Sequence, residues 1–274
     1  MTSTVQAPHF AVFGSPIKHS LSPKIHAVFA AQCAIAMDYR AIEAHPADFA
    51  SILSDFAAHG GVGANVTLPL KALALTLCSS LDASAERAGA VNTLICIDNG
   101  WHGANTDGIG LVRDLTQRQQ LNLQGRRLLL IGAGGAARGV LGPLLDAGAV
   151  DLVIANRSLD KAQALAQQFN GLACALDQLK DQGAFDLIVH ASSAGHSDFV
   201  LPSWPESLVR AGTALVDLSY GVASKPALAW ASELDIVAFD GLGMLIEQAA
   251  EAFYLWHHQR PDTAPVWGLL RAMV

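Results

Sequence analysis

One stretch constrains this 274-residue chain more than any other. Leu128-Leu129-Leu130-Ile131 runs unbroken into Gly132-Ala133-Gly134-Gly135-Ala136-Ala137. An apolar run without polar alternation reads as a strand buried on both faces, and a strand followed at once by a glycine turn and a helix is one half of a βαβ unit. The pattern repeats downstream. Apolar strands are predicted at 152–155, 187–189, 214–217 and 236–239, with helices at 136–146 and 159–169 fitting between them. This rhythm predicts an α/β fold with a parallel sheet covered on both faces.

The glycines also carry chemistry. Gly132, Gly134 and Ala137 occupy the three fixed positions of G-x-G-x-x-G/A. Glycine lets the backbone approach a pyrophosphate, and the helix that follows offers unpaired N–H groups to it. The competing reading is a glycine turn that only packs helix on strand, but a predictable strand before and helix after favour the dinucleotide. In an NAD site the next strand would end in Asp or Glu, which bonds the ribose hydroxyls. This chain has Asn156-Arg157-Ser158 there, with Lys161 one turn on. A carboxylate repels a 2′-phosphate and a guanidinium grips it, so the expected cofactor is NADP(H). Against this stands a plain solvated helix start, common for Arg and Lys.

Upstream, residues 10–107 also alternate strands and helices. Phe10–Phe13 reads as a buried strand, Ser22-Pro23 as a cap and first turn of a helix, and Asp98-Asn99-Gly100 as a hairpin turn. Residues 119–126 are mostly polar and read as the crossover into the second unit. The tail is helical by pattern from 244 to about 258, with a short last segment at 266–273. Four polar clusters mark the edges of elements, where loops carry function. They are His19-Ser20-Leu21-Ser22-Pro23, Asn65-Val66-Thr67-Leu68-Pro69-Leu70-Lys71, Ala90-Val91-Asn92-Thr93 and Gly103-Ala104-Asn105-Thr106-Asp107-Gly108. Together they supply donors and acceptors suited to a small ring bearing hydroxyls and a carboxylate.

Composition removes whole classes of function. Hydrophobic residues make up 51% and charged residues 15%, which excludes a disordered chain. A formal charge of -7 with no basic run excludes a general grip on nucleic acid. Residues 1–10 hold no Lys or Arg, and apolar runs break well before about 18 residues, so a soluble, cytoplasmic protein without a membrane span is expected. Cys33, Cys78, Cys96 and Cys174 are scattered and read as buried free thiols in a reducing compartment. His257-His258 are adjacent and face different ways on a helix, and no His-Glu-x-x-His occurs, so no metal site is expected. His190 reads as a structural hydrogen bonder, since no acidic neighbour in sequence orients it, and Phe253 and Trp256 read as core.

Taken in order, these motifs resemble the shikimate dehydrogenase family nearly end to end. The resemblance rests on Phe-Gly-x-Pro-Ile-x-His-Ser-x-Ser-Pro, Asn-Val-Thr-x-Pro-x-Lys, Gly-Ala-Val-Asn-Thr, Asn-Thr-Asp-Gly, Gly-Ala-Gly-Gly-Ala and the segment from Asp240 to Ala250. It implies NADP-dependent, reversible reduction of 3-dehydroshikimate to shikimate, on the route to chorismate and the aromatic amino acids, by a monomer or homodimer. The implied fold is α/β: an N-terminal substrate domain over 1–107, completed by about 244–274, and a Rossmann NADP-binding domain over 108–243. Lys71 resembles the family's acid/base lysine, with Asp107 as its partner. Ser20 and Ser22 resemble serines that hold the substrate carboxylate. Asn65, Thr67, Asn92 and Gln248 resemble residues binding ring hydroxyls, and Tyr220 a substrate-contacting tyrosine. Gly132, Ala133, Gly134, Gly135 and Ala136 would cradle the pyrophosphate, with Asn156, Arg157, Ser158 and Lys161 at the 2′-phosphate. Leu218, Gly241 and Met244 resemble contacts on the nicotinamide side.

Three positions depart from the pattern. Ser15 replaces Asn or Asp, Ser158 replaces Thr, and His190 stands where Asn opens Asn-Ala-Thr-Ser. Outside the resemblance, Lys71 would read as a solvated helix lysine and Asp107 as a helix cap. The rival readings are a quinate/shikimate enzyme or a relative with a related substrate, a non-catalytic NADP sensor that would be expected to lose Lys71 or Asp107, and a two-domain dehydrogenase acting on folates.

Overall fold

A computed structural model describes residues 8–192 and 204–274. The chain divides into two compact units, one ending at Gly110 and resuming over Ile246–Leu270, the other made of Leu111–Leu245 and Arg271–Val274.

The first unit is built from β1 (His9–Gly14), α1 (Ser22–Gln32), β2 (Asp38–Glu43), α2 (Phe49–Ala58), β3 (Gly61–Val66), α3 (Lys71–Leu77), β4 (Ser80–Leu81), α4 (Ala83–Ala88), β5 (Thr93–Ile97), β6 (Gly100–Ala104) and the start of α5 (Asp107–Arg113). Its sheet has the order β2-β1-β3-β5-β6-β4. β1 lies parallel to β2 and β3, and β5 runs antiparallel to β3 and β6. Asp98 and Asn99 turn the hairpin between β5 and β6, as their turn chemistry predicts. Phe13, Phe49, Leu53, Leu70, Leu94 and Trp101 form the core beneath it. Serine 22 does not cap α1. It is the first helical residue, Leu21 takes the cap position, and the Ser20 hydroxyl accepts the Ser22 N–H at 3.3 Å.

The second unit contains β7 (Arg127–Ile131), α6 (Gly135–Asp146), β8 (Val150–Asn156), α7 (Leu159–Phe169), β9 (Leu172–Ala175), β10 (Leu187–His190), β11 (Ala214–Asp217), α8 (Lys225–Glu233), β12 (Val237–Phe239) and the start of α9 (Leu242–His257). The strands pair in parallel in the order β12-β11-β10-β7-β8-β9. Numbered within the unit from β7, this is 3-2-1-4-5-6, the doubly wound order whose switch point lies between the first and fourth strands. Here those strands are β7 and β10. Leu128, Leu130, Ile154 and Val189 face one helical layer and Leu129, Ile131, Val153 and Ile188 the other, which is why these strands read as unbroken apolar runs.

The polar stretch 119–126 is not the crossover. Leu115 and Leu123 already lie in the second unit's core, and the change of unit falls inside α5, at Gly110/Leu111. The return to the first unit falls inside α9, after which α10 (Ala264–Arg271) closes the chain. No helix of the described residues is long and apolar enough to cross a membrane. Of the four free thiols Cys174 alone is buried; Cys96 is exposed.

Candidate active site

In the first unit the polar clusters converge. Lys71 opens α3 and Asp107 opens α5, and Lys71 Nζ donates to Asp107 Oδ2 at 2.5 Å, with side chains only 10% and 5% exposed. Such burial separates the pair from a surface ion pair, since both charges have surrendered water. Asp107 is therefore not a helix cap: its second oxygen accepts from Asn92 Nδ2 at 2.8 Å, and its own N–H goes to Asn105 Oδ1 at 3.1 Å. Asn105 is itself pinned: its Nδ2 donates to the Ala90 carbonyl and its backbone N–H donates to Ser84 Oγ.

Asn92 is the hub. Beyond Asp107, its Nδ2 faces Thr106 Oγ1 at 3.0 Å and Gln248 Oε1 at 3.3 Å. Its Oδ1 accepts from the Thr106 N–H at 2.8 Å and the Thr93 hydroxyl at 2.9 Å. Gln248 reaches this hub because α9 lies against Gly110: a Cβ at Gly110 would sit 2.5 Å from the Gln248 backbone nitrogen. The network continues through Asn65, whose Nδ2 donates to Thr93 Oγ1 and whose Oδ1 accepts from the Tyr39 hydroxyl at 2.7 Å. Of the residues expected at a substrate, Asn65, Lys71, Asn92, Asp107 and Gln248 thus form one connected, buried set. Ser20 is half-buried, Ser22 buried and Thr67 half-buried at the ends of neighbouring elements. Tyr220 belongs to the second unit, where burial raises its hydroxyl above the ordinary tyrosine value.

Tyr39 and His26 escaped the reading of the sequence. Burial holds the Tyr39 hydroxyl well above its usual value, with Ser22 opposing. The His26 ring stacks on Tyr39 at 4.2 Å between centroids, and burial lowers it to about 3, opposed by the neighbouring Asn65 side chain and aided by His257. Neither residue lies in a motif, so no local pattern marks them.

In the second unit Gly132 follows β7 with φ +119°, and a Cβ there would lie 2.8 Å from the Ala191 carbonyl carbon. A side chain is excluded on two counts, backbone conformation and space. Gly134 caps α6, and a Cβ built on it meets nothing within 4 Å. The turn is therefore close-packed below and open above, with the first N–H groups of a twelve-residue helix facing the opening. Ala133 is buried, and Gly135 and Ala136 begin the helix. This cradle fits a pyrophosphate.

At the end of β8, Asn156 Nδ2 donates to the Ser158 carbonyl at 2.9 Å and fixes the bend. Arg157, Ser158 and Lys161 are exposed, and the Ser158 hydroxyl makes no capping bond to α7. A guanidinium, an ammonium and an uncommitted hydroxyl at a helix N-terminus suit a phosphate dianion. Leu218 and Met244 pack on the second unit's core, and a Cβ on Gly241 would run into the Leu218 carbonyl. His190 has the acidic partner that its sequence neighbours lack: Nδ1 lies 2.9 Å from Asp217 Oδ2 on the adjacent strand, where the parallel register sets the two residues side by side.

Comparison with known proteins agrees with this division. Residues 12–94 match the model of the shikimate dehydrogenase substrate binding domain, 114–223 that of shikimate / quinate 5-dehydrogenase, and 241–271 that of the shikimate 5′-dehydrogenase C-terminal domain. The chain is 54% identical over 269 residues to shikimate dehydrogenase (NADP(+)) of Xylella fastidiosa, covering 96% of this chain and 95% of that one. Among solved structures it resembles shikimate dehydrogenase of Aquifex aeolicus, with 30% identity, TM-score 0.86 and coverage of 95% and 96%. It also resembles shikimate 5-dehydrogenase of Thermus thermophilus in complex with NADP(H) and shikimate, with 31% identity, TM-score 0.83 and coverage of 97% and 100%.

Proposed function

The chain belongs to the shikimate dehydrogenase family, and from that membership we propose the chemistry of its two clusters. It is an NADP-dependent oxidoreductase that interconverts 3-dehydroshikimate and shikimate, a step of aromatic amino-acid biosynthesis, and the cytoplasm is its place of work. The observation that carries the assignment of roles is the buried Lys71–Asp107 pair, wired through Asn92 to Gln248.

The glycine turn 132–136 would hold the pyrophosphate of NADP(H), Asn156, Arg157, Ser158 and Lys161 its 2′-phosphate, and Leu218, Gly241 and Met244 the nicotinamide side. Held there, NADPH would supply the hydride. As the ring ketone carbon is reduced, its oxygen gains negative charge, and Lys71 Nζ delivers a proton to that oxygen. In the oxidative direction the lysine amine takes the proton back. Asp107 keeps Nζ in place, because Asn92 Nδ2 holds its other carboxylate oxygen and Asn105 holds its backbone. A positioned acid/base of this kind is worth about 10²–10⁴-fold in rate.

Asn65, Thr67, Asn92 and Gln248 bind ring hydroxyls. Their support is chemical: carboxamides and a hydroxyl, each able to give and accept, are what a polyhydroxylated ring requires. Ser20 and Ser22 take the ring carboxylate and Tyr220 adds a further contact. The test is oxidation of shikimate and quinate with NADP and with NAD, followed side by side at the nicotinamide absorbance. Shikimate with NADP should be turned over fastest. No turnover of shikimate with either cofactor would sink the reading, and a preference for quinate or NAD would redirect it.

A further inference from the structure

His190 ends β10 at the switch point of the parallel sheet, beside β7, whose C-terminal end carries the glycine turn. Its ring is 1% exposed and bonded at both nitrogens. An ionised carboxylate can only accept, so Nδ1 donates to Asp217 Oδ2, while Nε2 is hydrogen-bonded to the Ser192 hydroxyl. Asp217 is wholly buried, and its other oxygen takes the Ser219 N–H at 2.7 Å. The imidazole thus spans two strand ends that carry different segments.

Both segments touch residues assigned above to the cofactor. On the β10 side, Ala191 and Ser192 form the surface on which Gly132 packs, and the Ala191 N–H donates to the Ile131 carbonyl at 2.7 Å. On the β11 side, the Leu218 N–H donates to the His190 carbonyl at 2.9 Å, and the Ser219 carbonyl accepts from Gly241 at 2.8 Å. The chain Ser192–His190–Asp217–Ser219 is therefore a brace under the glycine turn and the Leu218–Gly241 contact at once. The Trp204 ring meets the imidazole edge to face at 4.9 Å between centroids, so packing and hydrogen bonding can be varied separately.

We infer that His190 is a positioning residue for NADP: by bonding Asp217 and Ser192 together it fixes the turn at Gly132 and the strand end at Leu218 in their binding geometry. An imidazole suits the task because its two nitrogens lie on opposite sides of a rigid ring and reach two partners at once. An Asn, as in the family pattern that this segment resembles, is a shorter side chain. A turn held in its binding geometry before the ligand arrives loses less freedom on binding.

The inference rests on the NADP reading of this unit, so calorimetric binding of NADP to the parent chain is measured first. A parent that ignores NADP defeats that reading and this inference with it; a parent that binds leaves the variants to decide. His190→Phe keeps the ring against Trp204 and loses both hydrogen bonds. It should weaken NADP binding by about 5–50-fold, the scale of one or two buried bonds, while shikimate binding changes by less than about twofold. His190→Asn should recover part of the loss. Ser192→Ala, which removes the outer bond and leaves the His190–Asp217 bond in place, should weaken NADP about threefold on its own. Parent-like NADP binding in the Phe or Ala variant would overturn the brace. So would equal loss of NADP and shikimate binding in the Phe variant with no recovery in the Asn variant, which marks a packing role only.

Discussion

In the cluster around Lys71 and Asp107, the polar groups are buried and bonded mainly to one another; around Gly132 and Arg157, the cations Arg157 and Lys161 stand in solvent and the recognition surface is backbone. The first arrangement spends desolvation to hold a proton donor at one place, as proton transfer requires. The second keeps its cations hydrated and relies on charge and helix N–H groups that need no reshaping, as phosphate capture requires. Buried wiring makes single substitutions costly and insensitive to salt; exposed charge makes them mild and salt-dependent.

That contrast can be broken first at Lys71. Lys71→Ala should lower kcat at least about 100-fold with a modest change in KM, since the loss falls on proton transfer more than on binding. Steady-state kinetics with shikimate checks it, and a variant that keeps most of its turnover would remove Lys71 from the chemistry.

Acid tests the buried side of the comparison as a matter of stability. The folded value of His26, about 3, lies below the ordinary 6.5, so between those values the unfolded chain takes up a proton that the folded chain refuses. Its contribution is whole above pH 6.5 and shrinks as pH falls toward 3, by about 2–3 kcal/mol between pH 6.5 and 4.5. His257, also lowered by burial and by His258, adds in the same direction. Urea midpoints over that range should fall steeply in the parent and less so in His26→Phe; equal slopes would show that His26 is not the group responsible.

Removing the hub should cost less. Asn92→Ala strips partners from Asp107, Thr106 and Gln248 together, and should destabilise the chain by about 1–3 kcal/mol as well as slowing it. A melting temperature unchanged from the parent would mean that water satisfies those groups and that the network is not a rigid frame.

The smallest effect belongs to the exposed side. Arg157→Ala should raise KM for NADP about tenfold and leave NAD nearly untouched, because Ser158 and Lys161 share the phosphate and solvent screens the rest. Raising ionic strength should narrow the parent's preference for NADP. Equal losses with NADP and NAD would place Arg157 at the pyrophosphate or in the fold instead.

The parallel sheet was legible because both faces of β7, β8, β10 and β11 are buried, which leaves a one-dimensional signature. β9 was not: its four residues form an edge strand with Leu172 exposed, too short for any period to register. β2 likewise is largely half-buried or exposed, and Asp38-Tyr39-Arg40 does not look like a strand until β1 pairs with it. Polarity misled at 119–126, which reads as the crossover, whereas α5 carries the chain across with Leu111 and Leu115 already in the second core, close to the 107/108 boundary that the family resemblance implied.

At the sites, the glycine turn and the Asn156–Ser158 bend could be read directly, since each works through consecutive residues. The Lys71–Asp107 pair was recognisable through ordered motifs, but its burial and the part of Asn92 as hub were not, for these depend on residues 14 to 156 positions apart. His190 is the clearest case. It reads as a structural hydrogen bonder, but its sequence neighbours offer no acid to name as a partner; strand register supplies one by bringing Asp217 alongside. Sequence alone thus determined what is local and repetitive: the buried strands, the glycine turn and the cationic bend. Tertiary structure decided which polar groups lose their water and find each other, because desolvation and hydrogen bonding are set by neighbours in space, and no spacing along the chain encodes them.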